Sequence, residues 1–247
     1  MTEYSGYLPY EPQMLPVEWA KDIWTVNGPE VTYRFAGLAI PCPTRMTVVR
    51  LDTGALLLHS PIAFSESLNV ALSTLGPIGA IVAPNTYHHL HVDTWASAYP
   101  SAQVFAVSNV VEKIVTDSHT IQDHLSLFED RGLPCTVIEL GKFQEAVFFH
   151  RPSETLIVAD LMQNFEAKRV RSKFSRALLT VGGATGPDGR PSIEVRHLAH
   201  KHKEAMQRTV QRMIEWNPSQ IILSHGACYR LGAVEHLERA FAWANLR

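Results

Sequence analysis

The chain has 247 residues, 46% of them hydrophobic and 19% charged, a balance that supports a sizeable core and excludes a disordered chain. Lys and Arg number 22 against 24 Asp and Glu, for a net charge of −2, so no basic excess exists to neutralise a phosphate backbone and nucleic acid is not an expected partner. The length suits one α/β domain over residues 19–247, preceded by a Pro- and Tyr-rich extended arm over 1–18.

The cysteines, Cys42, Cys135 and Cys228, lie far apart, and no CxxC pair occurs. That spacing excludes a zinc knuckle or redox dithiol and argues against a disulfide framework. The N-terminus carries acids and prolines without an apolar run, so no signal peptide is expected. No run of about 18 apolar residues is present, so no membrane partner is expected either. The expected compartment is the cytoplasm.

From 24 to 60 the pattern is strand-like: IWTV, VTYRF, RMTVVRL and ALLLHS are short β-branched and aromatic runs, broken at Asn27-Gly28-Pro29 and Asp52-Thr53-Gly54. The second break reads as a tight hairpin. A helix follows, with Ser65 as N-cap and Leu68, Leu72 and Leu75 on one face, stopped by Gly76-Pro77. IGAIVAP reads as a strand buried on both faces, then a polar loop, a short helix over 94–99 and the strand AQVFAV. That order predicts parallel strands joined by crossovers. A helix is expected over 109–118, then the strands TVIEL, EAVFFH and ETLIVAD, with a turn at Arg151-Pro152-Ser153. Residues 164–178 form a basic helical or loop segment, and 182–189 a Gly-rich insert. A helix is expected over 200–218, then the buried strand IILSHG and a closing helix from Ala233.

Four apolar strands each run into a polar group at their C-terminal end. ALLL reaches His59, IVAP reaches the run His88-His89-Leu90-His91-Val92-Asp93, TLIVA reaches Asp160, and IILS reaches His225. In open α/β sheets ligands gather at that edge. Imidazoles and carboxylates brought together there suit zinc, iron or manganese. Competing readings exist for each. Asp93 serves equally well as the N-cap of the 94–99 helix. His88, adjacent to His89, reads as a loop residue or a support for a ligand. His150 reads as a surface residue. A polar loop such as HHLH can also bind nothing.

The stretches RMTVVRLDTGALLLHSP, HHLHVDTWASAYPSAQVFA, AVFFHRPSETLIVADLMQNF and IILSHGA resemble the metallo-β-lactamase superfamily, and more narrowly a divergent branch classed as a domain of unknown function. The resemblance implies a four-layer αββα sandwich, two mixed β-sheets with outer helices, and a one- or two-metal site. Its His-x-His-x-Asp-His landmark is matched by His89, His91 and Asp93, but Thr94 stands where the closing histidine belongs. Asp160 matches the bridging aspartate and His225 the last histidine, while the histidine expected near 141–143 is missing. His59 stands where many members carry an aspartate behind the metals. The resemblance therefore implies an incomplete site; strand position adds His59, and His59, His89, His91, Asp160 and His225 together are expected to hold one divalent ion. Zinc is favoured, with iron or manganese as alternatives. Asp93 or Asp160 would act as general base on a small ester, amide, thioester or phosphoester. The alternative is a catalytically inactive member, used as a binding or interaction module, that holds no metal.

Overall fold

The computed structural model describes residues 6–35 and 38–244. The larger sheet has seven strands in sequence order: β1 (Pro16–Ala20), β2 (Ile23–Phe35), β3 (Leu38–Arg50), β4 (Leu56–His59), β5 (Ile78–Ala83), β6 (Gln103–Ala106) and β7 (His119–Thr120). It is antiparallel from β1 to β4 and parallel from β4 to β7. The smaller sheet is built from β8 (Cys135–Leu140), β9 (Phe143–His150), β10 (Thr155–Val158) and β11 (Gln220–Leu223), in the order β11-β10-β9-β8. Only its β10–β11 pair is parallel.

Side-chain alternation divides the smaller sheet between two cores. Ala146, Phe148, Ile157 and Ile222 face the larger sheet, whose facing residues share the side of His59: Val49, Leu57, Val82 and Phe105. The intervening residues Val147, Phe149, Leu156, Val158, Ile221 and Leu223 face outward, onto α5 (Ile193–Lys201), α6 (Lys203–Glu215) and α7 (Ala233–Phe241). Both faces of β10 and β11 are therefore buried, which is why LIV and IIL read as unbroken apolar runs. On the other face of the larger sheet, α1 (Glu66–Ser73) and α2 (Val92–Ala98) contribute Leu68, Leu72 and Trp95 to the same cluster as Val48, Leu58 and Ile81. The expected αββα sandwich of two mixed sheets with outer helices is the observed architecture. No helix among the described residues is long and apolar enough to cross a membrane.

Several local expectations hold in detail. Ser65 caps α1 by accepting from the Leu68 amide at 3.2 Å, and Asp52-Thr53-Gly54 turns β3 into antiparallel β4. Others are corrected. Asn27-Gly28-Pro29 does not end a strand; β2 runs through it with a register irregularity between Gly28 and Val31. A Cβ at Gly28 would lie 2.4 Å from the Thr44 hydroxyl, so the close approach of β3 requires glycine there. The helix expected over 109–118 is only a single 3-10 turn at Val111–Lys113, followed by α3 (Leu125–Asp130) further on. Its β-branched sequence favours helix weakly, and Asp93 captures the Val115 and Thr116 amides that a helix would use. The helix expected over 200–218 is two helices, α5 and α6, because His202 sits outside helical geometry between them. The basic segment carries α4 (Lys173–Val181). Within 1–18, Pro16 already belongs to β1, and Tyr7 is buried and bridges to Val170. His150 is buried rather than at the surface, beside the Ser153 hydroxyl at 2.7 Å.

Phe148 is fully buried between the sheets, edge-on to His59 and Phe128. Phe148→Ala should destabilise the chain by about 3–5 kcal/mol, read in a thermal melt as a fall of roughly 10 °C in Tm.

Candidate metal centre

The C-terminal ends of β4, β5, β10 and β11 all deliver side chains to one place, as the edge argument requires. Asp160 follows β10 and His225 follows β11. The imidazole that joins them from the loop after β5 is His88. His88 Nε2 lies 3.1 Å from Asp160 Oδ2 and 3.1 Å from His225 Nε2, and His225 Nε2 lies 3.4 Å from Asp160 Oδ1. Among the described residues these three are the only group of this kind whose ligand atoms meet. These contacts use both Asp160 oxygens; with one ligand atom per residue the three lie within 4.8 Å of one another, close enough to close on one ion whose donors stand about 3.3 Å apart.

The polar contacts behind them set their protonation. His225 Nδ1 lies 2.7 Å from the Pro43 carbonyl, which can only accept. In neutral His225 the proton is therefore on Nδ1, and the Nε2 lone pair points at Asp160 and His88. His88 Nδ1 lies 2.5 Å from the Ser60 hydroxyl, which can donate or accept, so this contact orients the ring and leaves its tautomer open. The His225 lone pair can be satisfied by a proton, by a cation shared with Asp160, or by the His88 Nε2–H at 3.1 Å. The residues present thus fit a divalent ion: two imidazoles oriented by their far nitrogens, and one carboxylate.

Burial alone would push the Asp160 carboxyl up, but the charge of His88 and the hydrogen bonds from His225 and His88 hold it well below the usual range. Burial alone would lower His225; its hydrogen bond to Asp160, the Asp160 charge and the Pro43 carbonyl reverse this and raise it. Asp160 also accepts from Asn85 Nδ2 at 2.8 Å and Gln163 Nε2 at 2.7 Å.

Beneath the triad lies Glu145, fully buried on β9. Its carboxylate accepts the amides of Ala159, Asp160 and Leu161 at 2.8–3.0 Å and Asn85 Nδ2 at 2.9 Å. Glu145 therefore shapes the turn that aims Asp160. Burial and the neighbouring Asp160 push the Glu145 carboxyl up to about 7, against those hydrogen bonds. The turn bearing His225 is fixed by Arg45, whose guanidinium donates to the Gly226 carbonyl at 2.8 Å. Gly226 itself has φ +90°, and a Cβ there would fall 1.9 Å from the Asn164 carbonyl oxygen. Ser60, the contact of His88, has φ +58°, a strained value for serine.

Asp160 and His225 thus meet as expected, while the other proposed ligands stand outside their group. His89 and His91 line the mouth of the same cleft. Burial lowers the pKa of both, with Lys113 adding to the effect at His89. His59 is buried behind the cleft, edge-on to Phe148, with neither ring nitrogen hydrogen-bonded. Burial, and next the charge of His88, lower its pKa to about 3, so it is neutral. Asp93 neither caps α2, whose cap residue is His91, nor reaches the triad. It accepts from the Val115 and Thr116 amides and the Thr116 hydroxyl instead. Glu145 was detectable as the one acid in the otherwise apolar run EAVFF; nothing in HHLH marks which imidazole turns inward.

A family model described as a domain of unknown function, DUF4336, matches residues 21–178. The chain belongs to that family. A search of curated sequences gives this DUF4336 member no match. Solved structures share its fold at low identity. TMB-1 is 12% identical with a TM-score of 0.56, covering 95% of this chain and 98% of that one. The metallo-β-lactamase FIM-1 from Pseudomonas aeruginosa, in a mono-zinc form, is 14% identical with a TM-score of 0.54, covering 93% and 94%. The chemotaxis sensor ODP, with a peroxy diiron species, is 13% identical with a TM-score of 0.50, covering 93% and 94%. The chain is a DUF4336 protein with a metallo-β-lactamase-like fold.

Glu145→Gln keeps the shape but sets an amide N–H against a backbone N–H. One donor then loses its acceptor, so stability should fall by about 1–3 kcal/mol, measured by urea denaturation. An unchanged transition midpoint would contradict the role assigned to Glu145.

Proposed function

We propose that the chain is a metal-dependent hydrolase in which His88, Asp160 and His225 hold one divalent ion. The observation that carries this reading is the orientation of the two imidazoles. Each is held at Nδ1, by Ser60 or by the Pro43 carbonyl, and each turns Nε2 toward the Asp160 carboxylate. Three protein donors leave a coordination position open, the pattern of a catalytic rather than a structural site. Zinc suits two imidazoles and a carboxylate, with iron or manganese as alternatives. FIM-1, described in a mono-zinc form, is a precedent for one ion on this fold.

Bound there, a divalent ion would polarise a carbonyl or phosphoryl oxygen and lower the pKa of a coordinated water. The protein's own part is positioning. Ser60 and Pro43 fix the imidazole planes, Asn85 and Gln163 fix the carboxylate, and Glu145 fixes the turn that carries it. Asp160 is the one carboxylate in the triad that can hold a proton during turnover; Asp93, tied to the 115–116 backbone, is not assigned that part. The substrate is a small ester, amide, thioester or phosphoester that enters the cleft above the triad.

A second reading, a binding module without metal, is favoured by one observation. Asp160 already has four donors or potential donors: Asn85, Gln163, His88 and His225. In that state the proton on His225 supplies the positive charge.

Metal analysis of protein purified without chelator or nickel resin separates the two. The proposal expects about one zinc per chain after dialysis. His88→Ala and His225→Ala should lose the zinc, while His89→Ala and His91→Ala keep it. Substoichiometric metal indifferent to all four substitutions would establish the second reading. Loss in His89→Ala with retention in His88→Ala would overturn the ligand set.

A further inference from the structure

The triad lies at the end of a cleft of about 350 Å³, within the range of small-molecule sites. One wall is formed by β2 and β3, through Val31, Tyr33, Ile40 and Cys42. The other is formed by α4 and the start of α5, through Leu178, Leu179, Ile193 and Val195. Phe165 and Ile62 complete an apolar lining whose polar groups are concentrated at two places. One is the His–Asp end. The other is Glu194, which accepts from the Tyr33 and Tyr87 hydroxyls at 3.0 and 3.1 Å and pairs with Lys142 at 2.9 Å.

The charge of this lining is informative. Among the described residues that line the cleft there is no lysine or arginine, whereas Asp160 and Glu194 are both present. The Lys142 ammonium is 72% exposed and engaged with Glu194. Arg45 is turned to the Leu223 and Gly226 carbonyls. Glu194 is already paired with Lys142, and a cation can be met only at the His–Asp end, so a charge carried elsewhere in the cleft would lie between apolar walls with no lysine or arginine to meet it, which is unfavourable. Hydrocarbon would instead displace water from Ile40, Leu179, Val195 and Phe165. At the mouth, Leu90 and Ile193 remain 68% and 48% exposed, which continues the apolar surface outward.

We infer that the cleft selects a compound with an uncharged hydrocarbon arm, whose reacting group, such as the carbonyl of an ester, lactone or amide, meets the His–Asp end, and selects against ligands that carry a further charge on that arm. This rests on the proposed function only for the fate of the carbonyl; the hydrocarbon selectivity belongs to the walls.

The test is calorimetric binding of methyl ketones, non-hydrolysable neutral carbonyl probes, to the full chain as purified. From 2-butanone to 2-decanone, affinity should rise about threefold to fourfold per added CH₂ until the cleft is filled. 9-Oxodecanoate, the same methyl ketone with a charged far end, should bind at least about tenfold more weakly than 2-decanone. Ile193→Lys, at a half-exposed position and checked by thermal melt, should weaken 2-decanone and strengthen 9-oxodecanoate. A series flat in chain length, or 9-oxodecanoate equal to or tighter than 2-decanone, overturns the inference. His88→Ala distinguishes the two claims. If it abolishes zinc binding while the ketone series keeps its slope, both stand. Stoichiometric zinc with a flat ketone series overturns the hydrocarbon selectivity and leaves the metal reading. A steep series in a chain that binds no zinc does the reverse.

Discussion

Two carboxylates buried side by side, Glu145 and Asp160, set the terms for everything around them. Burying one unpaired carboxylate is costly, and burying two within mutual influence is worse. Glu145 is accommodated by three backbone amides and Asn85; its carboxyl is nevertheless pushed up to about 7 by burial and Asp160. Asp160 stays ionised because two imidazoles and two side-chain amides converge on it. His225, with Nδ1 committed to Pro43, can stabilise Asp160 only by carrying a proton or by sharing a cation with it. The demand for one compensating positive charge is built into the backbone, because the same turns that shape the sheet ends create it.

That demand falls at the edge of the fold where ligands have access. β4, β5, β10 and β11 end together, and their loops can approach because glycine stands at the tightest crossing, Gly226 against Asn164. The cores on both faces of the smaller sheet make the strand ends rigid, so the triad is positioned by packing rather than by loop hydrogen bonds alone. The α4–α5 segment stands over this edge and supplies an apolar wall. A polar, charge-demanding end inside an otherwise apolar cleft is the arrangement expected of a small-molecule site.

Much of this was legible in the residues. Strands buried on both faces appear as runs such as LIV and IIL, and each chemically capable residue follows one directly, so Asp160 and His225 could be located from pattern alone. The resemblance supplied the layer order. Other features were not legible for physical reasons. The loop after β5 has no period, so spacing cannot tell which imidazole of His88-His89-Leu90-His91 faces inward; the hydroxyl of Ser60, 28 residues earlier and at positive φ, helps fix it. His59 follows the same strand-end pattern, yet its alternation turns it into the core against Phe148. Asp93 has capping chemistry, but a tertiary contact with the 115–116 backbone takes its oxygens, and the helix expected at 109–118 is not formed there. The α4–α5 wall was hidden because its apolar residues are interspersed with basic ones and a Gly-rich loop.

The most direct test of the account is a crystal structure of the zinc-supplemented protein with anomalous diffraction measured at the zinc edge. The account predicts a single strong peak about 2 Å from His88 Nε2, His225 Nε2 and an Asp160 oxygen. A peak held by His89 and His91, or no peak at the triad with His225 and Asp160 in direct hydrogen-bonded contact, would contradict it.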